Sequence, residues 1–324
     1  MKKGLWFGLY LIFLIAFGIP SFAQNFVLKG ITFAQRNEAH LTEIPMLIDM
    51  IKKESNGQLK INWVGGPEVI PPFDQSIALK NGTIDMLLYY PFSYFTSMLP
   101  VADAKGISQL SAWEERKNGC YDLWVKVFRE KVNAEYLGCL HSVVPLRIYT
   151  RKNIKTLADF KGMKIRVMPL YVPLLKALGA VPVMMPGTEI HTAMERGVVD
   201  GFMWGGYGIK SLGLEGVTKF VIEPGIFQLE AFVGINLAAF NKLPKDLQVA
   251  LKRAVQKMEP IATENAAKIA AAELDSLQKM GIKIAKLSSE DAKKLIDLSY
   301  ETTWKKVIEQ DPVYGPQFKK LTTK

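Results

Sequence analysis

The chain has 324 residues, of which 49% are hydrophobic, 22% charged and 10% aromatic. This composition is typical of a globular protein with a substantial core, and it excludes disordered, collagen-like and coiled-coil chains. The formal net charge is +10, but the basic residues are scattered along the chain, so a nucleic-acid partner is not expected. The length predicts two lobes or one large α/β unit, of which we favour two lobes.

The first 23 residues have the features of a secretory signal peptide. Two lysines precede an uncharged run at 5–19, and Ser21-Phe22-Ala23 fits a cleavage site. The run is short for a membrane anchor, and residue 24 is Gln, which carries no lipid. We therefore expect a cleaved, soluble protein that is exported to the periplasm. In that oxidising compartment a bridge between Cys120 and Cys139 is permitted.

Strands and helices alternate in the first part of the mature chain. The predicted elements are a strand at 27–33, a helix at 38–55, a strand at 59–63, a short helix capped by Asp74, and a strand at 83–90. This βαβαβ order predicts a parallel, doubly wound sheet. Ser111 and Glu114 then form a capping box for a helix that runs to about residue 132, before a strand at 136–140.

A second unit of the same kind follows. Its predicted elements are a strand at 164–167, a helix at 170–178, a strand at 181–184, a helix at 188–196 and a strand at 198–203. The segment ALKNGTIDM at 78–86 aligns with AMERGVVDG at 193–201. The same offset pairs Tyr89 with Trp204 near the carboxyl ends of equivalent strands, where open α/β sheets bind ligands.

The last third is predicted to be mainly helical. After strands at 220–222 and 231–236, a helix from Pro244 to Met280 is long enough to lie across both lobes, and Pro260 predicts a kink or break in it. Ser288 with Asp291 starts a final helix to about residue 308. The predicted domains are lobe I at 24–146 plus about 237–262, lobe II at 147–236, and C-terminal helices at 263–324, with crossings near 145–150 and 235–240.

Motifs of common enzymes are not found. The sequence has no GxSxG or HExxH motif, and GGYGIKS at 205–211 lacks the second glycine of a Walker loop. His40, His141 and His191 are far apart and are expected to be structural. We therefore predict a protein that is not an enzyme and needs no cofactor or metal, with an active site assembled from distant residues as the alternative.

Arg166 is the sharpest local candidate for ligand binding. It lies in DFKGMKIRVMP at 159–169, on a predicted strand ahead of an apolar helix. A guanidinium there can clamp a carboxylate through two parallel hydrogen bonds. An internal ion pair with Asp159 or Glu189 is the alternative, and the spacing does not choose between them.

Four segments carry a family resemblance: KTLADFKGMKIRV, LLKALGAVPVMM, TEIHTAMERGVVDGFMW and FNKLPKDLQVALKRA. Together they resemble the solute-binding proteins of tripartite ATP-independent periplasmic (TRAP) transporters. The resemblance implies a two-lobed, type II-like periplasmic binding protein, each lobe a doubly wound mixed sheet with a long helix spanning both. Such a protein closes on an organic acid and delivers it to an ion-gradient-driven permease. The resemblance also implies that the motif arginine, here Arg166, holds the substrate carboxylate.

Two departures from the family pattern concern the site. Many members carry a second arginine about twenty residues earlier, where this chain has Leu146 followed by Arg147. Because one residue reverses the face of a strand, Arg147 serves only if the strand bulges, and is otherwise a surface charge. After the VDG segment this chain has Phe202-Met203-Trp204, and Met203 lacks the hard oxygen that helps to ligate a metal.

The residues around the implied site predict an aromatic-edged, largely apolar cleft for a monocarboxylate with a hydrophobic or aromatic body. About half of the aromatic candidates are expected to contact ligand and the others to lie in the core. Besides Arg166 and Arg147, the candidates are Phe33, Gln35, His40, Glu68, Tyr89, Tyr90, Phe92, Met184, Trp204 and Tyr207.

The predicted function is that of an extracytoplasmic solute-binding protein. Its expected partners are a small carboxylate and the integral membrane subunits of a TRAP permease, and it is expected to be a monomer, with a dimer through the C-terminal helices as the alternative. Two other classes stay open. One is an exported enzyme that acts on a small carboxylate, with His40 or His141 beside an acid; the other is a receptor that presents the ligand to a membrane sensor.

Overall fold

The computed structural model describes residues 25–324. The predicted signal peptide at 1–23 lies outside the described residues, as does the side chain of His40. Within the described part of the chain, none of the helices combines the length and the apolar character that crossing a bilayer takes.

Strands of two lobes join in one mixed sheet. The strands are β1 (Phe26–Thr32), β2 (Leu59–Gly65), β3 (Met86–Pro91), β4 (Ala134–Thr150), β5 (Lys164–Val167), β6 (Val181–Met184), β7 (Gly201–Trp204), β8 (Phe220–Asn236) and β9 (Lys283–Lys286). Their spatial order is β2-β1-β3-β8-β4-β7-β5-β6, with β9 beside β8. Lobe I contains β1 to β3 and lobe II contains β5 to β7.

Helices cover both faces of this sheet. They are α1 (Ile44–Glu54), α2 (Gln75–Asn81), α3 (Asp103–Gly106), α4 (Ala112–Glu115), α5 (Cys120–Val127), α6 (Val172–Ala177), α7 (Ile190–Glu195), α8 (Leu237–Lys242), α9 (Lys245–Lys279), α10 (Ser289–Gln310) and α11 (Gly315–Thr322). Short 3₁₀ turns follow several strands, among them Phe92–Tyr94 after β3 and Pro169–Tyr171 after β5.

Both predicted βαβαβ units are confirmed. Strand β1 pairs in parallel with β2 and β3, and β5 pairs in parallel with β6 and β7. The antiparallel strands β4 and β8 join the two units, because β8 pairs with β3 and β4 pairs with β7. The sheet is therefore mixed, and the carboxyl ends of the parallel strands of both lobes face a common space.

The strands β4 and β8 are 17 residues each, which the sequence analysis did not predict. The predicted strand pair at 220–222 and 231–236 is wrong, because β8 runs through both segments. Their middles are irregular: the β4–β8 register shifts repeatedly, and Val143 and Phe227 have φ of 55° and 57°. At Pro224 and Gly225 the strand bulges and continues, because the β4–β8 register shifts between Leu146 and Ile148.

Two helix predictions also need correction. The helix expected from Ser111 to about residue 132 is divided into α4, α5 and a π-helical turn, although its capping box is confirmed. Gly119, with φ of 86°, reverses the chain between α4 and α5. In α9, Pro260 does not break the helix, which runs for 35 residues, about 52 Å at 1.5 Å per residue.

Buried ion pairs tie several helices to one another. The Arg116 guanidinium donates to both carboxylate oxygens of Glu259 at 2.7 and 2.8 Å, which joins α9 to the turn after α4. Lys105 donates to Glu115 at 2.6 Å, and both side chains are almost fully buried. These pairs fix α3, α4 and α9 to one another, because separating either pair would leave a charge in the interior.

Cys120 and Cys139 are both free and buried, so the bridge that the compartment permits is not formed in this structure. Burial raises the pKa of both thiols, that of Cys139 to about 12. A thiol that is buried and protonated reacts slowly with disulfide reagents.

We therefore expect Ellman's reagent to detect no thiol in the native protein and about two thiols per chain after unfolding in guanidinium chloride. The measurement is the absorbance change with and without denaturant. Fewer than one thiol in the unfolded, unreduced protein would mean that the two cysteines are bridged.

Candidate functional site

A cavity with about 430 Å³ of empty space lies where the two lobes meet. Its lining comes from the carboxyl ends of β3, β5 and β7, from the residue after β1, and from the irregular middles of β4 and β8. The lining residues are Phe33, Pro91, Ser93, Tyr94, Leu146, Arg166, Met168, Tyr171, Met203, Trp204, Gly205, Leu229 and Glu230. This is the edge at which open α/β sheets bind ligands.

Arg166 is the cation of this cavity. It is 1% exposed, and neutral oxygens hold its guanidinium. Nε and Nη2 donate to the carbonyl oxygen of Met185 at 3.0 and 2.8 Å, and Nη1 donates to that of Met203 at 3.4 Å. The Trp204 ring lies 5.3 Å from the guanidinium carbon, in cation–π contact.

Neither internal partner considered for Arg166 forms an ion pair with it. The Asp159 carboxylate instead accepts hydrogen bonds from the backbone N–H groups of Lys155 and Thr156. Among the described residues, no carboxylate oxygen lies within 4.0 Å of a guanidinium nitrogen of Arg166. Burial lowers the pKa of Arg166, but a guanidinium stays charged at neutral pH. The cavity therefore holds a buried positive charge with an incomplete set of partners, which suits an anion.

Four aromatic side chains contribute to the remaining wall: Phe33, Tyr94, Tyr171 and Trp204. Phe33, Tyr94 and Trp204 also line a second hollow beside the cavity. Burial raises the pKa of Tyr94 and Tyr171, so both hydroxyl groups stay protonated and can donate a hydrogen bond. Gly187 leaves space for the Trp204 ring, because a Cβ atom at position 187 would lie 2.6 Å from the ring.

Glu230, on β8, is the carboxyl group of the lining. It is 1% exposed, and its Oε1 accepts a hydrogen bond from the Ser93 N–H at 3.1 Å. Burial raises the pKa of this carboxyl to about 8, although hydrogen bonds from two backbone N–H groups act to lower it. At neutral pH the group is therefore mainly protonated and uncharged.

Four of the predicted aromatic residues lie behind the cavity and do not line it. The Tyr89 hydroxyl is 2.6 Å from His141 Nδ1, and its ring stacks on Phe33 at 5.5 Å. Tyr207 also contacts His141 through its hydroxyl. Tyr90 donates to the carbonyl oxygen of Pro72, and Phe92 packs in the aromatic core of lobe I. Strand ends supply both cavity walls and core, and adjacent residues face opposite ways.

Four other predicted residues also do not line the cavity. Gln35 and Glu68 are exposed, and Glu68 accepts a hydrogen bond from the Gly66 N–H. Met184 is 63% exposed, on the outside of lobe II. Arg147 Nε donates to Glu223 at 2.6 Å, and the neighbouring Leu146 lines the cavity in its place. Nothing is described for the side chain of His40.

Four lining residues with polar side chains were missed by the sequence analysis, among them Ser93, whose N–H donates to Glu230. Tyr94 and Tyr171 lie in the 3₁₀ turns directly after β3 and β5, so polar aromatics just beyond the ends of parallel strands were a usable signal. Glu230 was a lone acid within an apolar β run, which indicates a buried functional or paired group. Among residues 25–324, no group of three or more His, Cys, Asp or Glu side chains is placed to hold a metal ion.

A family model described as bacterial extracellular solute-binding protein, family 7, matches residues 32–311. A monocarboxylate 2-oxoacid-binding periplasmic protein of Nostoc sp. is 26% identical over 215 residues, which are 63% of this chain and only 58% of that protein. The 2,3-diketo-L-gulonate-binding periplasmic protein YiaO of Escherichia coli K12 is 23% identical over 288 residues, 86% of each chain.

Solved structures share the whole fold. A TRAP periplasmic solute-binding protein from Desulfovibrio salexigens, with bound orotic acid, superposes with a TM-score of 0.81 at 18% identity, over 91% of this chain and 97% of that one. A Bordetella pertussis extracytoplasmic solute receptor binding pyroglutamic acid also gives 0.81 at 18%, over 92% and 100%. The predicted two-lobed α/β fold is thus confirmed.

Proposed function

We propose that this chain, which belongs to bacterial extracellular solute-binding protein family 7, captures a small organic acid in the cavity between its lobes. The observation that carries the proposal is the buried guanidinium of Arg166, which lines the cavity and has only neutral hydrogen-bond partners at ion-pair distance among the described residues. A ligand carboxylate would supply the missing negative charge and accept two parallel hydrogen bonds.

The body of the ligand is proposed to be apolar or aromatic. Phe33, Leu146, Met203 and Leu229 offer apolar surface, and one guanidinium favours a single carboxylate over two. The acids bound by the neighbouring structures, orotic and pyroglutamic acid, each carry one carboxylate on a ring, which supports the single carboxylate of the proposed ligand.

Capture is proposed to work by closure without chemical change. The lining comes from both lobes, so a ligand that contacts both sides stabilises the closed arrangement over an open one. Exclusion of water then strengthens the attraction between the carboxylate and Arg166. The closed protein would deliver its acid in the periplasm to the membrane subunits of a TRAP permease.

We expect monocarboxylates with apolar or aromatic bodies to raise the unfolding temperature of the protein, after denaturation and refolding have removed any ligand that co-purified. A ligand at 100 times its dissociation constant adds about 2.7 kcal/mol to the free energy of unfolding. The measurement is thermal unfolding against a panel of aliphatic, 2-oxo, aromatic and dicarboxylic acids, with neutral sugars as controls. Stabilisation by sugars alone would contradict the proposal, and a preference for dicarboxylates would require a second cation at the site.

A further inference from the structure

The cavity that contains Arg166 also contains a second polar group whose position is unusual for an anion-binding site. Glu230 lies on the irregular middle of β8 and faces the same cavity. A charged carboxylate there would repel an acid that binds at Arg166. Glu230 therefore weakens the binding of an acid when it is charged, and can contribute to binding only when it is uncharged.

The surroundings of Glu230 favour the uncharged form. Among the described residues, no lysine or arginine nitrogen lies within 4.0 Å of its carboxyl oxygens. Lys105 exerts an attraction on Glu230, but its ammonium group donates to Glu115 at 2.6 Å. The guanidinium of Arg166 is held by the carbonyl oxygens of Met185 and Met203. A buried carboxyl without a counter-ion keeps its proton.

The hydrogen bond to Ser93 indicates where that proton lies. Glu230 Oε1 accepts from the Ser93 N–H, so Oε1 is used as an acceptor and the proton belongs on Oε2. An O–H group in this position can donate a hydrogen bond to an uncharged oxygen of the ligand. Tyr171 lines the same cavity and interacts electrostatically with both Glu230 and Arg166, so both groups lie near this residue.

We propose that Glu230 is a second ligand-recognition group, which donates its carboxyl proton to a carbonyl or hydroxyl oxygen on the body of the bound acid. The inference rests on the proposed function and narrows its substrate class. The cavity would select carboxylates that also carry an uncharged oxygen, apart from the carboxylate, over acids of the same shape without that oxygen. A site built to pair with a ligand oxygen rejects the analogue that lacks it, because its own polar group is then left unpaired.

In any pH experiment, the titration of Glu230 must be distinguished from that of other groups near it. Asp103 and Lys105 on α3 act on its charge, and Glu230 in turn raises the pKa of Tyr89 on β3 and Tyr171 after β5. Cys139 on β4 is coupled to it as well. The two tyrosines and Cys139 have pKa values raised by burial and stay protonated up to pH 9. Asp103, which pairs with Lys306, is the remaining acid to distinguish.

Two pairs of acids test the oxygen preference directly. They are 4-oxopentanoate with 4-methylpentanoate, and 4-acetylbenzoate with 4-isopropylbenzoate; within each pair a carbonyl replaces a branched carbon of similar shape. By calorimetry at pH 7, the oxygenated member of at least one pair should bind about tenfold tighter. Glu230→Gln keeps a donor and should keep this preference, whereas Glu230→Leu should remove it.

The pH dependence provides the second readout. For the oxygenated acid, affinity should fall about tenfold between pH 7 and pH 9, because ionisation of Glu230 removes the donor and adds a repelling charge. At pH 9, calorimetry in two buffers of different ionisation enthalpy should show about one proton taken up per acid bound. Glu230→Gln should abolish both effects.

The outcomes separate this inference from the proposed function. Equal affinity within both pairs of acids would overturn the role of Glu230 and leave capture at Arg166 intact. A pH dependence that persists in Glu230→Gln would do the same. It would also assign the titration to another group, such as Asp103. Failure of all four acids, and of the wider acid panel, to bind the wild-type protein would overturn the proposed function and this inference together.

Discussion

Replacement of Arg166 by Gln is expected to weaken the binding of organic acids by about 100-fold or more. Truncating one partner of a buried, hydrogen-bonded charge pair costs about 2–5 kcal/mol, and among the described residues no other lysine or arginine lines the cavity. The free protein should keep its fold, because removal of a buried charge without a carboxylate partner offsets the loss of hydrogen bonds to two carbonyl groups. Isothermal calorimetry measures the affinity, and circular dichroism checks the fold.

Arg147→Gln is the matched control for this prediction. Arg147 differs from Arg166 in that its Nε donates to Glu223 at 2.6 Å, and both partners are partly exposed. The control should bind acids as the wild type does. Equal affinity in the wild type and Arg166→Gln would refute carboxylate capture by Arg166, and a loss in Arg147→Gln would mean that the strand bulge in β4 brings Arg147 to the ligand.

The largest effect on stability is expected for Lys105→Met. Lys105 and Glu115 are 0% and 2% exposed, and Glu115 also accepts a hydrogen bond from the Ser108 hydroxyl at 2.7 Å. Burial by itself lowers the pKa of Lys105, but attraction by Glu115 outweighs burial and holds the pKa above its ordinary value. Removing the ammonium group leaves a buried carboxylate without its counter-ion. The free energy of unfolding should fall by about 3–5 kcal/mol in guanidinium denaturation at pH 7.

The double variant Lys105→Met, Glu115→Met distinguishes loss of the ion pair from loss of packing. Because it removes both charges and keeps comparable volume, it should recover most of the lost stability. Lys268→Met breaks an exposed pair with Glu264 on α9 and should leave the denaturation midpoint unchanged. A double variant that is no more stable than Lys105→Met would show that the side chains act through packing and not through their charges.

Local signals in the sequence predicted much of the lobes correctly. The strand at Val181–Met184 and the capping box at Ser111 reappear as predicted, since each depends on residues within a few positions of one another. The motif around Arg166 likewise indicated the residue that lines the cavity. By contrast, β4 and β8 were read as short segments, because their pairing partners lie up to about a hundred residues away and Pro145 and Pro224 resemble breaks.

The assignment of aromatic residues shows where local reasoning reaches its limit. Tyr89 and Trp204 occupy equivalent positions in the two lobes, yet Trp204 lines the cavity and Tyr89 backs it with its hydroxyl beside His141. Both positions carry a large aromatic after the same glycine-turn pattern. Their different roles follow from which strand lies beside each of them, β1 for Tyr89 and β4 for Trp204.

The sequence by itself determined the alternation of strands and helices, the two lobes and the arginine that faces the site, because periodicity, caps and a motif are encoded by neighbouring residues. The tertiary structure decided which side chains share the cavity. It gave Arg147 a carboxylate partner and left Arg166 with neutral ones, and it brought Glu230 to the same cavity without a counter-ion within 4.0 Å among the described residues. Those outcomes depend on strand register and burial, which are set by contacts between residues distant in the chain.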